Sequence, residues 1–229
     1  MPVIYDDEIG KITIRNSKKS RHVTMRVAPD GSLRVSAPAK FPLFLIKRTI
    51  NGSRDEIRQL LSKQTPTLKY NDGDQIGKSH SLVVREGSEA DVKRQGLRII
   101  VTKPQNMLMN DSVLQPLLRE QIISALRREA KGYLPKRLSY LADQHGFSYQ
   151  RVRFSHASGR WGSCSSSGTI SLNIALMKLP FELIDYVIIH ELAHTVEMNH
   201  SEKFWQIVEK YDPAYKTNRT RLKHESPTI

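Results

Sequence analysis

Along the first third of the chain, polar and apolar residues alternate with a period of two. Val23, Met25 and Val27 are separated by polar residues, and the same holds for Leu33, Val35 and Ala37. Such alternation turns one face of a strand to a core and the other to water. Between the two runs lies Pro29-Asp30-Gly31. Proline presets φ, aspartate bonds its own backbone and glycine tolerates positive φ, so this segment predicts a hairpin. Ile12 and Ile14 predict a neighbouring strand. The period then lengthens: Leu43, Ile46, Ile50, Ile57 and Leu61 recur at helical spacing, with Asn51-Gly52 as a break. Leu82-Val83-Val84 and Leu97-Arg98-Ile99-Ile100-Val101 predict two more strands.

Thr102 to Asp111, polar and containing Pro104, is the expected linker. Beyond it Leu114, Leu118, Ile122 and Ala125 line one helical face, and Leu134, Leu138 and Leu141 mark a second helical stretch that Gly146 ends. Pro135 reads there as a first-turn residue or a kink. Val152 and Phe154, then Ile170, Leu172 and Ile174, alternate as strands around the Gly/Ser-rich Ser158 to Gly168. Pro180 suits the first position of a helix, and Asn199 to Glu202 fits a capping box opening a last one. The pattern predicts an α+β chain in two parts: a small β-rich N-terminal domain, 1–105, and a helical domain with a short sheet, 106–229.

Charge adds a partner class to this picture. The 229 residues include 36 basic and 23 acidic side chains, a formal net charge of +13. Residues 1–105 hold 20 of the basic and 11 of the acidic ones, so the front half carries most of the excess. A polyanion such as nucleic acid or a nucleotide is therefore a candidate partner. The densest basic cluster is Arg15 to His22, set against the plainer reading of a solvated loop. A single cysteine, Cys164, precludes an intramolecular disulfide and fits a reducing compartment. No signal-like start and no bilayer-length apolar run is visible, so the expectation is a cytoplasmic protein with no membrane partner.

The chemistry concentrates in His190-Glu191-Leu192-Ala193-His194. Residues four apart on a helix share a face, so His190 and His194 can present two imidazoles to one Zn2+. Glu191 is placed to take a proton from an activated water, and His200 offers a third ligand after a five-residue gap. Three protein ligands with one open position suit a catalytic zinc rather than a structural one. His156, Asn173 and Tyr186 are candidate oxyanion donors, each with a plainer structural reading. Cys164 reads as a packed small residue rather than a fourth ligand, and His22, His80, His145 and His224 have no ligand spacing.

Four segments together carry a family resemblance. They are Arg160-Trp161-Gly162-Ser163-Cys164-Ser165, Ile170-Ser171-Leu172-Asn173, Asp185 to His194, and Asn199-His200-Ser201-Glu202-Lys203-Phe204-Trp205. In this order they resemble the YgjP-like metallopeptidase family, small zincins related to SprT-type proteases. Met25 to Gly31 and Tyr70-Asn71-Asp72-Gly73-Asp74 extend the likeness to the front half. Asn51-Gly52-Ser53 departs from it where an aromatic-containing helix is usual, and so does Ile174-Ala175 after Asn173; neither touches the metal motif. The resemblance implies zinc on His190, His194 and His200, Glu191 as general base, and a peptide or protein substrate. It also implies a strand beside the metal helix that pairs with extended substrate, and Thr169 to Ile174 is the segment expected to do so, with Arg160 and Trp161 shaping the approach. Two other classes stay open: a nucleoside triphosphate pyrophosphatase or phosphohydrolase, and a nucleic-acid-associated protease of the SprT type.

Overall fold

The computed structural model describes residues 3–6, 9–17, 20–28, 32–57, 60 and 67–229. The chain divides into two compact units, Met1–Thr67 and Leu68–Ile229. The boundary expected at 105/106 therefore falls inside the second unit. The segment between 102 and 111 is no linker, because the strands before it share one core with the helix after it.

In the first unit, β1 (Val3–Asp6), β2 (Gly10–Ser17), β3 (Thr24–Val27) and β4 (Leu33–Pro38) form a sheet of order β1-β2-β4-β3. The expected β3–β4 hairpin is present, antiparallel with Met25 opposite Val35. Its turn residues Pro29, Asp30 and Gly31 lie outside the described residues. Ile12 and Ile14 on β2, parallel to β4, face the same core as Leu33, Val35 and Ala37. Helix α1 (Leu43–Gly52) contributes Ile46 and Ile50 to that core and stops at Gly52, where the sequence marks a break. Ile57 joins them, Leu43 is exposed, and Leu61 is outside the described residues. In the basic cluster Arg21 and His22 are exposed, while Lys18 and Lys19 are likewise outside the described residues.

The second unit begins with β5 (Ser81–Glu86), β6 (Asp91–Gln95) and β7 (Arg98–Lys103), in the order β5-β7-β6. β6 escapes a periodicity search because Val92 is its one buried apolar residue in a polar run. Helix α2 (Leu114–His145) follows as one unbroken element where the sequence suggests two. Pro135 sits inside it, so the Lys131 carbonyl loses its intrahelical N–H partner. Burial of Leu134 and Leu138 on either side outweighs that loss. Gly146 ends the helix at φ 72°, its N–H bonding the Ala142 carbonyl.

A second sheet is built from β8 (Arg151–Ser155), β9 (Gly162–Cys164) and β10 (Thr169–Asn173), in the order β8-β10-β9. After a 3₁₀ turn come α3 (Phe181–Ala193), α4 (Glu202–Tyr211) and α5 (Tyr215–Leu222). Pro180 caps α3 rather than opening its first turn. The α4 cap is Ser201, not Asn199: Ser201 Oγ accepts from Phe204 N at 3.3 Å. Helix α2 grips the start and the middle of α3. Arg137 donates through Nε and its guanidinium NH2 to both oxygens of Asp185 at 2.7 and 2.6 Å. Tyr133 packs on Phe181 at 5.4 Å between ring centres. Among the described residues, no helix is long and apolar enough to cross a membrane.

Candidate active site

The last turn of α3 carries the expected motif. Its apolar residues from Leu183 to Ile189 are buried, as are Leu192 and Ala193, so His190 and Glu191 sit in a last turn still held by the core. His194 caps the helix end, and Thr195, Val196 and Glu197 fold back on the carbonyls of Leu192 and Ala193. The chain thereby reverses and brings His200 beside the helix. His190, His194 and His200 place ligand nitrogens within 4.8 Å of one another. The Nε2 atoms of His190 and His200 are 3.1 Å apart. Nitrogens on a tetrahedral zinc at ordinary bond lengths lie about 3.3 Å apart, so the donor set fits such an ion after small rotations.

An aromatic frame from α4 holds the imidazoles. Phe204, fully buried, stacks on His194 at 4.4 Å and meets His200 edge-on at 4.8 Å. Trp205 stacks on His200 at 5.7 Å, and Tyr215 stacks on Trp205 at 5.6 Å. Arg219 lies over the Trp205 ring at 4.5 Å. These four residues follow from no motif spacing; the amphipathic pattern of α4 predicts burial of Phe204 but not its ring contacts.

Protonation states favour metal binding. Burial, followed by the neighbouring charges of His194, His200 and Arg219, pushes His190 down to about 3, so its ring is neutral at ordinary pH. Burial also lowers His194. Its Nδ1 donates to the Glu197 carbonyl at 3.1 Å, which leaves Nε2 with a free lone pair.

Glu191 is 5% exposed, and its Oε2 has no hydrogen-bond partner among the described residues. Burial pushes it up to about 8, against an opposing pull from exposed Arg160. Such an orphaned carboxylate oxygen is costly to bury without a ligand. The strand β9 lies directly against it: a methyl group on Gly162 would come 2.5 Å from Glu191 Oε1.

The segment expected to pair with substrate lies inside the sheet, not at its rim. Thr169–Asn173 is the central strand β10, paired parallel to β8 and antiparallel to β9, so its backbone groups are already used. The edge strand beside Glu191 is β9. Ser165 N donates to the Thr169 carbonyl and Asn173 N to the Trp161 carbonyl. By the alternation of an antiparallel pair, Gly162 and Cys164 turn their N–H and C=O groups to the other side. Among the described residues no strand pairs with β9 there.

Of the oxyanion candidates, Asn173 is consumed structurally. Its Nδ2 donates to the carbonyls of Ala157 and Arg160, and its Oδ1 accepts from Ala175 N. Tyr186 is buried with its ring 6.0 Å from that of His190, and burial pushes its hydroxyl up to about 12. His156, directly after β8, is half-buried. Cys164 is half-buried on β9, and His80 is a core residue bonded to Glu129.

A family model described as YgjP-like, metallopeptidase domain, matches residues 21–225. Comparison with curated proteins gives no match. Crystal structures similar to part of the chain include two metallopeptidase zymogens. The metallopeptidase zymogen of Pyrococcus abyssi abylysin is 31% identical, with 39% of this chain and 91% of that one covered, at a TM-score of 0.37. The metallopeptidase zymogen of Methanocaldococcus jannaschii jannalysin is 18% identical, with 39% and 93% covered, at a TM-score of 0.36.

Proposed function

The chain belongs to the YgjP-like metallopeptidase family, and we propose that it is a zinc-dependent peptidase in which His190, His194 and His200 hold the metal and Glu191 is the general base. The observation that carries this reading is the convergence of three imidazoles with a buried Glu191 Oε2 and a β9 edge that, among the described residues, have no partner. A zinc ion on the three imidazoles supplies Lewis-acid polarisation of the scissile carbonyl and acidifies a water molecule.

The protein's own groups do the rest. Gly162 and Cys164 on β9 offer backbone donors and acceptors to an extended substrate, which orients it across the site. Glu191 takes a proton from the attacking water as the oxygen–carbon bond forms. The same carboxyl then hands that proton to the amine nitrogen as the carbon–nitrogen bond breaks. Its Oε2, unpartnered among the described residues, leaves the carboxylate free to make both transfers. Tyr186 and Phe204 pack against the His190 ring, while His200 stays exposed on the solvent side of the cluster. The free edge of β9 favours an extended peptide over a nucleoside triphosphate, because a ladder of backbone groups matches the former and not the latter.

The test is a matched pair, wild type and Glu191→Gln, offered both unfolded protein and nucleoside triphosphates, with zinc measured in each. Wild type should cleave the protein, while the variant keeps its zinc and loses cleavage by at least about 1000-fold. His194→Ala and His200→Ala should each lose zinc. Pyrophosphate release that depends on Glu191, with no peptide cleavage, would instead establish a phosphoanhydride hydrolase.

A further inference from the structure

The imidazole cluster has an exposed side, and a cation stands beside it. His200 and Arg219 are both exposed, and both pack on Trp205. The indole stacks on His200 at 5.7 Å between ring centres, and the Arg219 guanidinium lies over the indole at 4.5 Å. A single side chain thus connects Arg219 to one of the three imidazoles. Behind burial and the two other imidazoles, the charge of Arg219 also lowers His190, and behind burial it lowers Tyr186. Arg160, exposed two residues before β9, opposes the effect of burial on Glu191. Two fixed positive charges therefore bear on the site.

Helix α5 is anchored in a way that presents Arg219. Its buried residues are Tyr215, stacked on Trp205 at 5.6 Å, and Asn218, whose Nδ2 donates to Asp212 Oδ2 at 3.0 Å. Arg219 follows directly. A guanidinium stacked on an aromatic ring uses its face and keeps the N–H donors along its edge. Among the described residues those donors meet no carboxylate. The acids before α5 are engaged elsewhere: Asp212 by Asn218 and by Ala214 N at 3.0 Å, Glu209 by Lys216 Nζ at 3.2 Å. From Pro213 to His224 the chain carries Lys216, Arg219, Arg221 and Lys223 and no acid. The spacing of Lys216, Arg219 and Lys223 puts them on one side of the helix, so the positive field continues along α5.

A cation in this place works against the metal site taken alone, because it repels the dication that three neutral imidazoles would take up. The charge becomes favourable once an anionic group lies opposite it. A carboxylate on a bound peptide is such a group, and the edge of a guanidinium matches its two oxygens with parallel hydrogen bonds. It offsets the repulsion and fixes the chain at the same time.

Resting on the peptidase reading above, we infer that Arg219 is a specificity-determining residue that binds a carboxylate of the peptide substrate beside the cut. Two groups supply that chemistry, an Asp or Glu side chain and a free C-terminus. The experiment uses matched peptides that differ at one position, Glu against Gln, scanned through the residues around the cut. Each is made with a free and with an amidated C-terminus. Wild type should favour Glu over Gln at one fixed position by about three- to tenfold in kcat/KM, and added salt should shrink that ratio. If the C-terminus is the group bound, the preference follows the amidation arm instead and the cut lies near the chain end.

Arg219→Gln should abolish the preference, Arg219→Lys should keep part of it, and Arg219→Glu should turn it toward peptides with Lys. Each ratio is taken within one variant, so differences in folded or zinc-loaded fraction cancel. Loss of packing on Trp205 alone would change all peptides equally and leave the ratio where it was. Equal cleavage of acidic and neutral peptides by wild type in both arms overturns the inference alone, whether or not a variant folds. A wild-type preference that persists in Arg219→Gln also overturns it. Absence of any Glu191-dependent peptide cleavage would overturn the peptidase reading and the inference with it.

Discussion

Glu191 is held between two constraints, the helix that carries it and the strand laid across it. Gly162 is the point of contact, and its missing side chain is what lets β9 approach so closely. Gly162→Ala forces either the carboxylate or the strand to move by a fraction of an ångström. Zinc should remain bound, since the imidazoles are framed from α4, while kcat falls about 100-fold through misplacement of the base. Full activity in this variant, with zinc at the wild-type level, would show that the carboxylate is not positioned by β9. At this scale the three imidazoles were readable in advance, because i, i+4 spacing and a return after five residues are properties of the chain itself. Gly162 was not, since it meets Glu191 across 29 positions of sequence and only the folded sheet brings them together. Asn173 illustrates the reverse: a polar residue close in sequence to a rim segment, whose amide turns out to be spent on three backbone groups.

Elements are placed by a buried latch that no local pattern reveals. Glu129 on α2 accepts from Lys78 N at 2.6 Å, from Ser79 N, Ser79 Oγ and His80 N at 3.0 Å, and from His80 Nδ1 at 2.6 Å. Lys78 in turn donates through Nζ to the Leu179 carbonyl and lies over Phe181 at 4.4 Å. The turn before β5 thus ties α2 to the beginning of the helix that carries the histidines. Burial works to raise the Glu129 carboxyl, but the hydrogen bonds from Lys78, His80 and Ser79 outweigh it and hold it below the usual carboxylate range. A depressed folded-state pKa contributes stability above the unfolded value, and that contribution is lost as pH falls through the folded one. Glu129→Gln should therefore cost about 2–3 kcal/mol at pH 7, measured by urea denaturation. The gap to wild type should shrink below about pH 4.5. A gap independent of pH would mean that the carboxylate's charge is not what the turn recognises. Sequence periodicity found most of these elements and missed how they pair. The family resemblance placed β10 at a rim, and the alternation of one strand gives no sign of having neighbours on both sides. Periodicity divided α2 at Pro135 because the tertiary burial that overrides a helix-breaking residue is invisible in a window of local pattern.

At the scale of the whole chain, the question is where an independently folding catalytic unit begins. A linker-like composition at 102–111 suggests 106, whereas the packing gives Leu68. The difference matters because β5, β6 and β7 supply Leu82, Val92, Ile99 and Val101 to the core that also holds Leu118, Ile122 and Leu126 of α2. Gln115 fastens the entrance: Leu68 N donates to its Oε1 at 2.7 Å and its Nε2 donates to the Leu68 carbonyl at 3.0 Å. Leu33 and Val35, by contrast, belong with Ile46 and Ile50 to a separate cluster within the first unit. A fragment of residues 68–229 should then fold on its own, melt in one cooperative transition and bind one equivalent of zinc. The fragment 106–229 should not, because it exposes the apolar face of α2 and strips Glu129 of all its donors at once. Circular dichroism melts with zinc analysis on the two fragments decide the point. Cooperative melting and bound zinc in 106–229 would return the boundary to the polar segment, and failure of 68–229 would mean that the β-rich unit is needed to complete the fold.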